Sequence, residues 1–363
     1  MALKRVQEAW NQALCNFYYG LSYVGTLVQE LSSIKDRKAD GVSTNVVEKR
    51  VEKIRGKPEF GVCSYLPDLL HYRERVIPLL GELGVKWLRT DFPFSLWQRD
   101  KAKFEMVDEI VEEARRREIN ILPILGTWTI GSPKPPKNRE EFLEYIKELV
   151  KRYDGKIDAY EFWNEPNCRW FWRSSIGNFG RLLDLSAQRA KSVNPQIKVG
   201  MNVAWLCGLT GPWALKFIER MARGGYLRHV DFIGLHGYPG TYEPGGANTW
   251  RERIKAVKKL MEDTVGDKEL WVTEFGFYAF RNRLFYPHTP QVQIQYLKEA
   301  FDAIATTGDV PVAIWYSLHD PLTLSNLNMQ KVTYQEYGFG LYTKKLEPKD
   351  TETARVIMEI TSR

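Results

Sequence analysis

From residue 59 onward, short runs rich in β-branched and aromatic residues alternate with longer amphipathic runs, and the alternation repeats eight times. The strand candidates are 59–64 (EFGVCS), 85–91, 119–125, 157–163, 197–203, 230–236, 270–275 and 311–318. They are apolar nearly throughout, as strands of a parallel sheet covered on both faces are. Between and after them, residues 67–82, 101–118, 138–153, 178–192, 212–223, 249–264, 290–307 and 350–362 show helical spacing of their apolar positions. Eight such units over roughly 300 residues fit a closed barrel better than an open sheet. An open doubly wound sheet would carry a Gly-rich phosphate loop after its first strand, where this chain reads Tyr65-Leu66-Pro67-Asp68. The predicted fold is α/β, a (β/α)8 TIM barrel over residues 58–363 with an N-terminal helical extension over residues 1–57.

The extension has its own pattern. Trp10, Leu14, Phe17, Leu21, Val24, Val28 and Leu31 recur in steps of three and four, drawing one apolar stripe along a helix that Gly20 and Gly25 weaken locally. Polar residues 36–44 read as a hinge and 45–55 as a short helix. The stripe can pack on the barrel, pair with a second helix in self-association, or contact a membrane surface. It is too polar for a membrane span and lacks the form of a signal peptide. A cytoplasmic location is therefore expected, with an extracellular or surface-anchored location as the alternative.

Composition narrows the function classes. The chain has 363 residues, of which 44% are hydrophobic and 27% charged, the balance of a soluble globular protein. A net charge of +7 could suit an acidic ligand, but the basic residues are dispersed among acidic ones, so nucleic acid is not an expected partner. Cys15, Cys63, Cys168 and Cys207 form no C-x-x-C pair and read as free thiols. The five histidines make no metal-binding spacing, and no nucleotide loop is present, so neither metal nor cofactor is expected.

Three irregular segments are long: 126–139 after the third strand, 237–248 after the sixth and 319–340 after the eighth. All would lie at the C-terminal face of the barrel, where sites of this fold are built. Two carboxylates point to the same face. Glu165 follows the fourth strand in 161–167 (EFWNEPN), with Pro166 ending the strand, and Glu274 closes the seventh in 271–277 (WVTEFGF). Two carboxyls at one apolar-lined mouth suit glycoside hydrolysis, which needs one protonated acid and one ionised nucleophile or base. A structural ion pair with a buried Arg is the plainer alternative for either. An aldolase would want a Schiff-base Lys, and strands six to eight contain none.

With Asn164-Glu165-Pro166 after strand four, Glu274 at the end of strand seven, Arg89 on strand two, the His236-x-Tyr238 pair of strand six and Trp315 on strand eight, the chain resembles clan A of the glycoside hydrolases. The resemblance spans residue 59 to about 362, and its style, in 160–167 (YEFWNEPN) and 231–239 (DFIGLHGYP), is closest to family 39. Family 5 is the second choice, although Thr127-Trp128 stands where that family often has a His. The resemblance implies a retaining β-glycosidase acting on a β-linked carbohydrate, with Glu165 as acid/base and Glu274 as nucleophile. It implies that Asn164 holds the sugar 2-OH, Arg89 and Tyr238 donate to Glu274, His236 supports a hydroxyl or a carboxylate, and Trp315 floors the subsite. Trp128, Trp170 and Trp172 are further candidates for stacking on sugar rings, and Trp163, Tyr278 and His319 stand behind them. An exo-acting β-xylosidase or β-glucosidase is the alternative within the class, and a carbohydrate-binding pseudoenzyme the alternative outside it.

Overall fold

The computed structural model describes residues 56–64, 72–99, 101–126, 134–205, 210–239, 246–279, 288–321 and 338–362. Residues 1–55 of the extension, with its apolar stripe, and Trp128 lie outside the described residues. Eight parallel strands close a barrel in sequence order: β1 (Glu59–Cys63), β2 (Trp87–Pro93), β3 (Asn120–Gly126), β4 (Ala159–Phe162), β5 (Lys198–Trp205), β6 (Phe232–Gly237), β7 (Glu269–Phe275) and β8 (Val312–Trp315). The eight predicted strands are all present, with ends shifted by a few residues. Nine helices are described around them: α1 (Ile77–Glu82), α2 (Phe94–Arg99), α3 (Lys101–Arg116), α4 (Arg139–Arg152), α5 (Ile176–Val193), α6 (Gly211–Arg223), α7 (Thr249–Thr264), α8 (Pro290–Ala305) and α9 (Thr353–Thr361). A π-helical turn at Tyr72–Val76 leads into α1. Helix α2 is additional to the sequence expectation, which has no element between strand two and residue 101. Among the described residues no helix is long and apolar enough to cross a membrane.

Three of the described helices start on a side-chain cap. Asn138 accepts the Glu141 backbone N–H ahead of α4, Ser175 that of Asn178 ahead of α5, and Thr289 that of Val292 ahead of α8, where Pro290 is the first helical residue.

The barrel interior is layered. Trp87, Leu122, Ala159, Phe232, Trp271, Val312 and Ile314 fill its lower part as one apolar cluster. Phe232 stacks on Trp271 with ring centroids 4.1 Å apart, and Trp87 meets Trp271 edge-on at 5.1 Å. Above this plug the inward-facing residues turn polar: Arg89, Glu161, Asn202, His236, Thr273 and Glu274, all buried. The polar layer sits toward the C-terminal ends of the strands, as a site of this fold should.

One irregularity shapes that layer. Between Gly234 and His236 on β6 the partner strand advances from Trp271 to Glu274, and between Ala313 and Trp315 on β8 it advances from Val272 to Phe275. Strand β7 therefore holds one more residue than either neighbour, a β-bulge. Strict alternation would send Thr273 and Glu274 to opposite faces; the bulge brings both to the interior.

Candidate active site

Strand β4 delivers the first carboxylate. After Phe162 the backbone turns sharply, with φ of +68° at Trp163 and +41° at Glu165. Such values are costly for residues with side chains and persist only when neighbours hold them. Asn202 on β5 does so: its Oδ1 accepts the Glu165 backbone N–H at 2.6 Å, and its Nδ2 donates to the Trp163 carbonyl at 3.0 Å. Asn167 extends the clamp by exchanging two hydrogen bonds with the Ala204 backbone, both at 2.9 Å. The Glu165 carboxyl is thereby aimed at β6, where His236 Nδ1 lies 3.0 Å from its Oε1. The Cys168 thiol approaches its Oε2 at 3.7 Å.

The bulge delivers the second carboxylate. Arg89 Nη1 donates to Glu274 Oε1 at 2.6 Å, and the Tyr238 hydroxyl donates to Oε2. His236 Nδ1 lies 3.5 Å from the same Oε2, and its Nε2 pairs with Thr273 Oγ1 at 3.1 Å. Polar atoms of Glu165, His236 and Glu274 all lie within 4.8 Å of one another. That group of donors could share a cation, but the Arg89 guanidinium already supplies the positive charge on Glu274.

Electrostatics follow from burial. Burial pushes the Glu274 carboxyl up, while the Arg89 charge and the Tyr238 and Arg89 hydrogen bonds pull it back. Burial also works against the Arg89 charge, yet Glu161 and Glu274 more than offset it, and the guanidinium is held well above its ordinary value. Burial, then Arg89, push His236 well below the ordinary histidine range, so its imidazole is neutral. Burial and the neighbouring Glu274 charge raise Tyr238, which keeps its proton and donates it. The Cys63 thiol, 3.7 Å from Arg89 Nη1, is raised by burial and stays protonated.

Glu165, Glu274, Arg89, Asn164, His236 and Tyr238 thus converge. Asn164 Oδ1 accepts from Arg89 Nη2 at 3.0 Å, which ties its side chain to the guanidinium that holds Glu274. Two aromatic expectations are corrected. Trp315 is fully buried on the helix-facing side of β8, edge-on to Phe275 and tilted against Tyr296 of α8. Alternation along β8 turns Val312 and Ile314 inward, and the next inward residue is Tyr316. The half-buried Tyr316 stands edge-on to Tyr238 and takes the place expected of Trp315. Trp172 is also core, packed between Trp163 and Phe179 with its indole N–H donating to the Ser175 carbonyl at 3.1 Å. Trp170 is half-buried in the loop that follows Glu165. Of the lesser candidates, His319 is buried against Ser64 at 2.9 Å, and Tyr278 stacks on His288 with centroids 4.5 Å apart.

Sequence reasoning missed Glu161, Asn202, Thr273 and Tyr316. A charged Glu161 and an amide Asn202 inside otherwise apolar strands were signals available in the sequence.

Residues 127–279, which carry both carboxylates, match the model of glycosyl hydrolases family 39. Over that stretch the chain is similar to the family 39 glycosyl hydrolases. A beta-xylosidase of Geobacillus stearothermophilus is 28% identical over 116 residues, 30% of this chain and 22% of that enzyme. Among solved structures, a family 39 glycoside hydrolase from Bacteroides cellulosilyticus matches 86% of this chain and 65% of its own at a TM-score of 0.65 and 20% identity. A glucosidase from Croceicoccus marinus gives a TM-score of 0.64 at 14% identity over 86% of this chain and 67% of its own. These structures share the barrel fold with the chain. The chain spans about a fifth of the xylosidase and about two thirds of the solved family 39 enzyme.

Proposed function

We propose that the protein is a retaining β-glycoside hydrolase in which Glu274 is the nucleophile and Glu165 the acid/base. The observation that carries this reading is the approach of the two carboxyls, with polar atoms within 4.8 Å of one another. Retaining enzymes hold their carboxyls about 5–5.5 Å apart, and inverting ones about 6.5–9.5 Å apart to admit a water. The spacing supports direct attack.

In the first step a Glu274 oxygen forms a bond to the anomeric carbon while the bond to the leaving oxygen breaks and takes the Glu165 proton. In the second, water attacks the same carbon, gives its proton to Glu165 and releases the Glu274 carboxylate. Arg89 and Tyr238 hold Glu274 in one orientation throughout. Neutral His236 can accept from or donate to Glu165 as that carboxyl changes state, without adding a charge of its own. Asn164, tied to Arg89, presents its amide N–H groups toward the sugar 2-OH.

The substrate is a β-linked oligosaccharide, polysaccharide or simple glycoside. The similarity to a beta-xylosidase favours, as a second reading, exo-acting hydrolysis of β-xylosides or β-glucosides. An intact, hydrogen-bonded carboxylate pair speaks against a binding-only protein. Proton NMR of the first sugar released from an aryl β-glycoside tests the reading: the β-anomer should appear first, and a first α-anomer would rule retention out.

A further inference from the structure

Glu161 is a second buried carboxylate on the same arginine. It lies on β4 with no exposed surface; its Oε2 accepts from Arg89 Nε at 2.7 Å and forms an ion pair with Nη2 at 2.6 Å. A guanidinium is rigid and planar, so fixing Nε and Nη2 also fixes where Nη1 points. Nη1 points at Glu274 Oε1, and Nη2 also reaches Asn164. The other oxygen, Glu161 Oε1, has no hydrogen-bond partner among the described residues. Its surroundings are cut to fit: a Cβ on Gly234 would stand 2.7 Å from Oε1 and 2.3 Å from Thr273 Oγ1. Any side chain at 234 would displace the carboxyl or break the contact between Thr273 and His236.

A buried carboxylate is costly, and one partner would suffice to neutralise Arg89. Glu274 already provides that partner. We propose that Glu161 is a positioning residue: it clamps Arg89 in the plane that serves Glu274 and Asn164, and it shares the Arg89 charge, leaving Glu274 a stronger nucleophile. This rests on the retaining-glycosidase reading above. Among the described residues, the groups that face Glu274 are Arg89 from β2, Cys63 from β1, Glu161 and Glu165 from β4 and its turn, and His236 and Tyr238 from β6 and its end. Among them Glu161 adds negative charge that raises the Glu274 carboxyl.

The test is a titration of the full chain labelled with δ-carbon-13 glutamate, the Glu274 signal being the one lost in Glu274→Gln. In Glu161→Gln the Glu274 midpoint should fall by about one pH unit. In Glu161→Asp, which keeps the charge and withdraws the clamp, it should stay near the wild-type value. Both variants should lose roughly tenfold in kcat with KM within about twofold, the mark of an interaction that matters in the transition state. An unmoved Glu274 midpoint in folded Glu161→Gln, or wild-type kcat in both variants, would overturn the proposal. The titration needs no turnover, so its failure is distinct from failure of the glycosidase reading, which the first-released anomer decides.

Discussion

The backbone N–H of Glu165 is held by Asn202 Oδ1 at 2.6 Å, across from β5 to the turn after β4. This contact anchors a left-handed residue in the site, and it makes the proposed acid/base depend on a fully buried side chain. Asn202→Ala would leave a buried N–H and the Trp163 carbonyl unpaired, at a cost of about 1–3 kcal/mol. The expected result is a lower unfolding midpoint and a loss of activity that is severe for glycosides with poor leaving groups. Glycosides of acidic phenols, which need no proton from Glu165, should be spared. Hydrolysis rates plotted against leaving-group pKa check this; equal loss across the series would contradict it.

Tyr238 supplies one of the hydrogen bonds on Glu274. That bond opposes the upward push of burial, so its loss lets the carboxyl rise further. Tyr238→Phe should move the acidic limb of kcat/KM to higher pH. A hydrogen bond to a charged group contributes about 1.5–3 kcal/mol, so the rate at the optimum should drop roughly 10- to 100-fold. The pH–rate profile of the two proteins reads both effects.

The raised Glu274 carboxyl has a consequence for stability. A carboxyl whose folded-state value lies above its unfolded value binds more protons when folded, so stability is full at acid pH and falls as pH rises through the folded value. Glu274→Gln removes this loss, and Glu161 remains to balance Arg89. Thermal unfolding should show the variant more stable than wild type at pH 7, by roughly 2 °C or more, with the gap closing as pH falls toward the ordinary carboxylate range. A variant less stable at neutral pH would contradict the direction.

The two aromatics at the end of β8 should separate cleanly. Trp315 is core, and Trp315→Ala should cost about 3–5 kcal/mol of stability. Tyr316 faces the site beside Tyr238, so Tyr316→Ala should weaken substrate binding, read as a raised KM, with a smaller change in unfolding midpoint. A Tyr316 variant with wild-type KM would return the subsite floor to another residue.

Much of this was legible in the sequence, for identifiable reasons. The apolar strand runs marked the barrel because a parallel sheet buried on both faces leaves that pattern. Asn164, Glu165, His236, Tyr238 and Glu274 sit at or just beyond strand ends, where a barrel brings residues distant in sequence to one mouth, and Arg89 points to them from within β2. The rest depended on register. The extra residue in β7 cannot be seen in a run of apolar positions, yet it turns Glu274 inward beside Thr273. Trp315 and Tyr316 are adjacent, and strand alternation sends neighbours to opposite faces, so an error of one position exchanged core for site. Trp172 follows Glu165 closely in sequence, but its turn folds back against Trp163.

The central claim is that Glu274 forms the covalent bond to the sugar. Its most direct test is Glu274→Gly with an activated aryl β-glycoside and added azide. The account predicts no turnover without azide, and with it release of the phenol and formation of the glycosyl azide of inverted, α configuration. Absence of that azide adduct, or full activity in the variant without azide, would contradict it.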